Sequence, residues 1–370
     1  MDWSELCDQF ELGVNAETLR KAGVGIKLAS DAGMLGDAAT KEDYSGGYIE
    51  RQKMRDLTRQ ANEIYRSESR SELLRETVFE AVKNMSPITP PVYSPKANPN
   101  VPATKKSLAL AIGDVHYGAD IHCTGLYGET LNRFNADVFE QRMEKLLDET
   151  IDILEKENIN TVHVLLVGDL IDGILRQSQL MRLEYGMVDS TIRLSEYLAH
   201  WLKALSNVAY VQVDAVTGNH SEIRPLRSKN REFEEENLER IILWYLKARL
   251  ATNYNVSINE NCKRLNLVDI QGYSFLLFHG DSEKSIEQMC RDSVNLYGKP
   301  IDFVVCGHYH REETIPSGVT SSGETVVIRT PSICGMDKYS QGKGYGGRPG
   351  SIATVIEKGY GRRCVYPIYL

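Results

Sequence analysis

Five short stretches set carboxylate, amide and imidazole groups beside glycine: GDVH at 113–116, GDLID at 168–172, GNH at 218–220, HG at 279–280 and GHYH at 307–310. They hold five of the chain's eight histidines, His116, His220, His279, His308 and His310. Carboxylate, imidazole and amide oxygen together suit borderline or hard divalent ions such as Mn²⁺, Fe²⁺ and Zn²⁺. The donors are too many for one ion and enough for two that share a carboxylate. Two ions about 4 Å apart can clamp a phosphoryl group and hold a hydroxide between them as nucleophile. Charged groups gathered this way are costly unless paired or liganded, which weighs against a coincidence of turns. His308 and His310 are two apart, so on extended backbone they would face one way and address one ion each.

The elements that must carry these groups follow from the apolar pattern. Strands are expected over 107–114, 161–169, 208–218, 273–280 and 301–307, and each runs into one of the five stretches. Amphipathic helices are expected over 137–157, 188–205, 233–250 and 286–296. The first has Phe139, Met143, Leu146, Leu147 and Leu154 on one face, with Asp137 as its cap and Glu140 at the reciprocal position. The segments ETIPSGV, ETVVIRT and SIATVIEKG predict a β-rich finish. This order predicts an α/β fold, a layered αββα sandwich of two mixed sheets flanked by helices. Open α/β sheets bind ligands at the carboxyl ends of their strands, so the five stretches can converge.

Taken together, GDVH, GDLID, GNH, HG and GHYH resemble the binuclear metallophosphoesterases, the calcineurin-like phosphoesterase superfamily. All five occur in the family's order, and the likeness extends over about three quarters of the chain, toward its C-terminus. The resemblance implies that Asp114, His116 and His310 bind a first metal and that Asp169 bridges both. It implies that Asn219, His279 and His308 bind the second. His220 would act on the leaving-group oxygen as general acid or polarise the phosphate, with Asp172 orienting its ring. Mn²⁺ is the expected metal, with Fe²⁺ or Zn²⁺ as alternatives. Two departures stand out. Ser221 separates His220 from Glu222, where an acidic residue often follows directly. Gly173 follows Asp172, without the arginine of the protein-phosphatase branch.

Six prolines fall within residues 84–106, which predicts an extended linker between a helical appendage over 1–83 and a catalytic domain over 107–370. Residues 4–23 resemble a helix-turn-helix, in which Leu19 and Ala22 would pack and Arg20 and Lys21 would face phosphate. Beyond His220, Arg224 and Arg227 open a basic run that could guide a phosphate, and Arg176 and Arg182 are weaker candidates. The glycine-rich segment 338–350 is expected to be a lid or loop, and His122 to line the entrance. The formal net charge of −8 opposes a surface built to coat nucleic acid. The seven cysteines are scattered without a C-x-x-C, which predicts free thiols in a reducing, cytoplasmic setting. The opening MDWSELCDQF has neither the basic nor the apolar region of a signal peptide, and no apolar run is long enough to span a membrane.

The expected activity is phosphoester hydrolysis, with DNA as first choice: a phosphodiesterase or nuclease. One alternative is a hydrolase of small phosphoesters such as nucleotides, cyclic nucleotides or phosphoprotein. Another is a DNA-binding or scaffold protein with a vestigial metal site. A homodimer is implied by the resemblance alone.

Overall fold

The computed structural model describes residues 104–173, 182–224, 232–281, 285–320, 323–343 and 347–370, together with Arg20, Lys21, Gln52 and Arg55. The chain divides into two units, residues 1–69 and 70–370. The four isolated positions have helical backbone. The rest of the expected helix-turn-helix and nearly all of the proline-rich linker lie outside the described residues.

In chain order the second unit contains β1 (Lys106–Ile112), β2 (Ile121–Thr124), β3 (Thr130–Phe134), α1 (Ala136–Glu157), β4 (Thr161–Leu166), α2 (Met187–Leu205), β5 (Tyr210–Val216) and α3 (Leu238–Arg249). It continues with β6 (Val256–Lys263), β7 (Leu265–Ile270), β8 (Tyr273–Phe278), α4 (Ile286–Tyr297), β9 (Phe303–Cys306), β10 (Glu313–Thr320), β11 (Gly323–Arg329), α5 (Lys338–Lys343), β12 (Gly350–Glu357) and β13 (Gly361–Tyr369). One sheet has the order β13-β12-β1-β4-β5-β6, the other β10-β11-β9-β8-β7, and β2 and β3 form a separate ribbon. In the first sheet β1, β4, β5 and β6 are parallel, while β12 and β13 are antiparallel additions. In the second, β8, β9 and β11 are parallel, with antiparallel β7 at one edge and β10 at the other.

Alternation along the strands builds three apolar layers. On β1, Leu108, Leu110 and Ile112 point toward α1, α2 and α3. Ala109 and Ala111 point the other way, into a core shared by the sheets with Leu165, Val167, Phe275, Leu277, Phe303 and Val305. Phe275 and Phe303 stack there with ring centroids 4.6 Å apart. Outside the second sheet, Leu276, Phe278, Val304 and Cys306 bury against Ile286 and Met289 of α4. The expected αββα sandwich is the observed fold. Among the described residues, no helix is long and apolar enough to cross a membrane.

Three local expectations are corrected. Asn135, not Asp137, caps α1: its side chain accepts from the Val138 N–H at 2.9 Å. The capping position must stay non-helical, and Asn135 is extended at φ −157°. The third long helix begins at Leu238 rather than Phe233, because Asn237 caps it through the Glu239 N–H at 3.0 Å. The glycine-rich segment is part helix, α5, rather than loop throughout.

Candidate metal centre

The five donor-bearing stretches leave the carboxyl ends of β1, β4, β5, β8 and β9. The first three strands belong to one sheet and the last two to the other, so the sheets deliver their donors to one place. Backbone bonds between neighbouring loops of each sheet hold the arrangement. Asp114 N donates to Gly168 O at 3.1 Å, His116 N to Asp169 O at 2.9 Å and Gly307 N to His279 O at 2.9 Å.

The donors are aimed by unusual backbone. Among the described non-glycine residues, seven take positive φ, and five of these are Asp114 (49°), His116 (48°), Asp169 (54°), His308 (68°) and His310 (51°). Left-handed backbone costs an L-residue roughly 1–2 kcal/mol, and Asp and His accept it more readily than most. This corrects the extended geometry expected for His308 and His310. The two rings do go to different groups, but each is turned there by its own left-handed residue.

Three groups of ligand atoms result, each gathered within 4.8 Å: Asp114, His116 and His310 in a first, Asp169, His279 and His308 in a second, and His116, Asp172 and His220 in a third. In the first, His310 Nε2 lies 3.4 Å and His116 Nε2 3.9 Å from Asp114 Oδ1. Asp169 stands between the first two, its Oδ2 2.9 Å from His279 Nε2 and 3.9 Å from His116 Nε2. Asp114 Oδ1, His116 Nε2, Asn219 Oδ1 and His279 Nε2 are all buried without a hydrogen-bond partner. Buried polar atoms are normally satisfied, so four orphans around one space mark atoms made for a partner other than protein.

The imidazole tautomers agree. His279 Nδ1 donates to Val167 O at 2.9 Å, which aims Nε2 at the Asp169 carboxylate. His310 Nδ1 donates to Gly335 O at 3.3 Å, and its Nε2 likewise faces Asp114. Ligating histidines are held by their second nitrogen in this way. Burial opposes charge on His279, but the Asp169 and Asp114 carboxylates overcome it and hold the imidazole up at about 10. Burial likewise works against the Asp169 carboxylate, and the His279 and His220 rings still hold it well below its usual range. The donor set and its orphaned atoms fit a pair of divalent cations.

Beside the first group, Asp172 Oδ1 accepts from His220 Nδ1 at 2.6 Å and lies 3.5 Å from His116 Nδ1. The His220 N–H donates to Asp169 Oδ1 at 2.8 Å. A cleft of about 180 Å³ opens here, lined by His116, His220, His310 and Asp172, with His122, Arg182, Asp337 and Lys338 among its other walls. His122, expected at the entrance, is among the residues that line the cleft. Arg224 is held by Glu222 at 2.9 Å and by the Asn219 carbonyl at 3.0 Å, against the loop that carries Asn219 and His220. Arg227 lies outside the described residues.

Glycine supplies close approach at two points. A Cβ on Gly218 would lie 2.1 Å from Asp169 N, and one on Gly307 would lie 2.6 Å from Asp114 Oδ2. A further carboxylate escapes any reading of the sequence. Glu239, 2% exposed on the first turn of α3, accepts from Leu170 N at 2.7 Å, Gly218 N at 2.5 Å and Ser221 Oγ at 2.9 Å. It ties the β4 loop to the β5 loop, and Ser221, which displaces the acidic residue after His220, is one of its contacts. Burial, then the Asp169 charge, raises Glu239 to about 7 against the pull of the two backbone N–H groups. It follows a run of other acidic residues, and no spacing sets it apart.

Residues 108–312 match the calcineurin-like phosphoesterase family, and the chain belongs to it. It is a metal-dependent hydrolase acting on phosphoester bonds. Among relatives, the SPbeta prophage-derived uncharacterized protein YonJ of Bacillus subtilis (strain 168) is 29% identical over 328 residues, 87% of this chain and 78% of that protein. Among solved structures, an archaeal phosphodiesterase is 14% identical, covering 71% of this chain and 99% of its own, at a TM-score of 0.35. A 5'-nucleotidase precursor from Thermus thermophilus is 12% identical, covering 72% of this chain and 54% of its own, also at 0.35.

Proposed function

We propose that this hydrolase is a phosphodiesterase that cleaves DNA. In this reading Asp114, His116 and His310 hold one ion, Asn219, His279 and His308 the other, and Asp169 both. Mn²⁺ is the ion we assign, on the mixture of carboxylate, amide and imidazole donors. When bound, the pair supplies Lewis acidity toward the phosphoryl oxygens and a water acidic enough to react at neutral pH.

The observation that carries the reading is the His220–Asp172 pair at the wall of the cleft. With Nδ1 bonded to Asp172, His220 has Nε2 to meet substrate. Burial opposes its protonation, but the Asp169 and Asp172 carboxylates raise its pKa, so the ring holds a proton for the leaving oxygen. As the P–O bond breaks, that proton passes to the leaving oxygen and Asp172 keeps the ring aligned. Arg182 and Lys338 at the cleft offer charge to a flanking phosphate. Arg224 would serve by bracing the Asn219 carbonyl, and Arg227 by meeting substrate.

A second reading, hydrolysis of small phosphoesters such as nucleotides, is favoured by the size of the cleft, which suits a single nucleoside-sized group. The free thiols among the described residues accord with a cytosolic setting, and a homodimer belongs to the same proposal.

A panel of single-stranded DNA, double-stranded DNA, cyclic nucleotides, nucleotides and bis-p-nitrophenyl phosphate, with and without EDTA, separates the readings. DNA and the diester should be cut with Mn²⁺ and spared with EDTA. Turnover of monoesters alone would remove the diesterase; diester turnover without DNA cleavage would remove DNA. Deleting residues 1–83 should abolish retention on DNA and leave turnover of the small diester intact.

A further inference from the structure

We propose that Asn132 and Arg142, distant in sequence from every metal-binding stretch, are positioning residues for the first metal site. The inference rests on the assignment of Asp114, His116 and His310 to that site. It concerns a strap, residues 332–336, that runs behind two of those three ligands.

On its inner side the strap holds Asp114 and His310. Ser332 Oγ donates to Asp114 O at 2.8 Å, and Cys334 N approaches the same carbonyl at 3.3 Å. Gly335 O takes the His310 Nδ1 proton at 3.3 Å, which fixes the ring so that Nε2 faces Asp114. Gly335 can present its carbonyl there because it adopts φ +77°.

On its outer side the strap is gripped by one amide. Asn132, on β3 and 7% exposed, donates both its Nδ2 protons, to Cys334 O at 2.8 Å and Met336 O at 2.7 Å. Those carbonyls flank Gly335, so the amide sets the position of the peptide that orients His310. A Cβ on Gly335 would lie 3.0 Å from Asn132 Nδ2, so the grip needs glycine there. Arg142 of α1 closes the arrangement, with Nη1 on Ile333 O at 2.7 Å and Nη2 on Asn132 Oδ1 at 2.9 Å. It thereby fixes which end of the Asn132 amide faces the strap.

In the second group His279 is held by Val167 O, Asp169 receives the His220 N–H, and the His308 N–H donates to Asp114 Oδ2 at 2.7 Å. The strap touches two ligands of the first group directly and reaches the second only through the Asp114 carboxylate, so the clamp acts first on one site, which separates it from general structural glue. Loss of a partner that orients a ligand costs a metal about 10–100-fold in affinity.

The test uses metal-free full-length chain titrated with Mn²⁺, read by electron paramagnetic resonance and by metal content after gel filtration. Wild type should take up two ions and show the multiline signal of a coupled pair. Asn132→Asp keeps the side-chain volume and the Arg142 contact but removes both N–H donors. It should weaken one ion about 10–100-fold, leave the other unchanged, and give the six-line signal of isolated Mn²⁺ at intermediate loading. Arg142→Lys, which keeps the charge but not the two-pronged grip, should shift the same ion less, at a melting temperature close to wild type. Two ions of unchanged affinity in both variants, or equal loss of both ions, would overturn the inference while leaving the two-ion reading standing. A wild-type chain that takes up fewer than two ions would remove that reading and this inference with it.

Discussion

Asp169 and His220 sit within hydrogen-bond reach of one another, yet their roles differ in kind, and substitution should separate them. Asp169 faces both ligand groups, so Asp169→Ala should abolish binding of the ion pair, read as metal per chain. His220 lines the cleft with Asp172 braced against its Nδ1, so His220→Ala should keep both ions and lose roughly 10²–10⁴ in turnover. Retained turnover in His220→Ala would remove the proton-donor role. Gly218 is a third case at this scale. With Asp169 N only 2.1 Å from where its Cβ would stand, Gly218→Ala must push the β4 and β5 loops apart, and metal binding should fall with it. The donors themselves were legible because each lies in a short stretch that carries a glycine at the end of an apolar run, a signal contained in a few residues. Glu239 and Asn132 were not, because they become neighbours of the site only through folding. Glu239 is 18 positions from Ser221, and Asn132 is 202 from Cys334. Their residue types are those of ordinary solvated positions. The left-handed backbone of five ligands was hidden for a related reason: Asp and His carry no glycine-like mark of it.

Most of the elements that escaped the sequence have little to bury, although β7, LNLVDI, buries alternate residues and was missed as well. β6, VSINENCK, lies at a sheet edge and hides only Cys262, and the short strands of the β2–β3 ribbon hide Cys123, Asn132 and Phe134. A strand that is mostly exposed shows no alternation to read. The long helices, by contrast, declared themselves through one apolar face, and their mutual placement depends on a polar contact that periodicity cannot show. Glu196 on α2 accepts from Arg249 of α3 through two bonds, at 2.7 and 3.0 Å, and from the Tyr245 hydroxyl. A two-pronged guanidinium–carboxylate contact is among the stronger side-chain pairs. The Arg249 bonds, against partial burial and with help from Tyr245, bring the Glu196 carboxyl down to about 2. Its folded value lies below the unfolded one, so the clamp's stabilisation is complete above about pH 4–5 and is lost as pH falls toward 2. Glu196→Gln should therefore destabilise the protein by about 1–3 kcal/mol at pH 7. The gap from wild type should close on acidification through that window, as urea melts at stepped pH would show. A gap constant down to about pH 2 would mean the contact contributes through shape alone.

Across the whole molecule, the site lies where two sheets end, and this couples metal to folding. Asp114 comes from the first sheet, His279 and His308 from the second, and Asp169 joins them. Without cations, Asp114 and Asp169, 0% and 1% exposed, sit in a low-dielectric interior, where burial opposes the Asp114 carboxylate and the His310 and His279 rings offset it. Cations that bind the folded form and not the unfolded one add stability by mass action, about 2.7 kcal/mol per site at a hundredfold excess over Kd. For a domain of this size that is a rise of roughly 5–10 °C in melting temperature. Mn²⁺ should produce such a rise in wild type and EDTA should reverse it. Asp169→Asn sharpens the test, because it removes the charge that faces both ligand groups. The His279 and His220 rings overcome burial and hold the Asp169 carboxyl well below its usual range, so the folded chain favours the charged form. Metal-free, the variant should therefore melt lower than metal-free wild type, and with Mn²⁺ it should show little of the rise. If it instead melted no lower than metal-free wild type, the buried charge would be a source of strain that the imidazoles fail to offset.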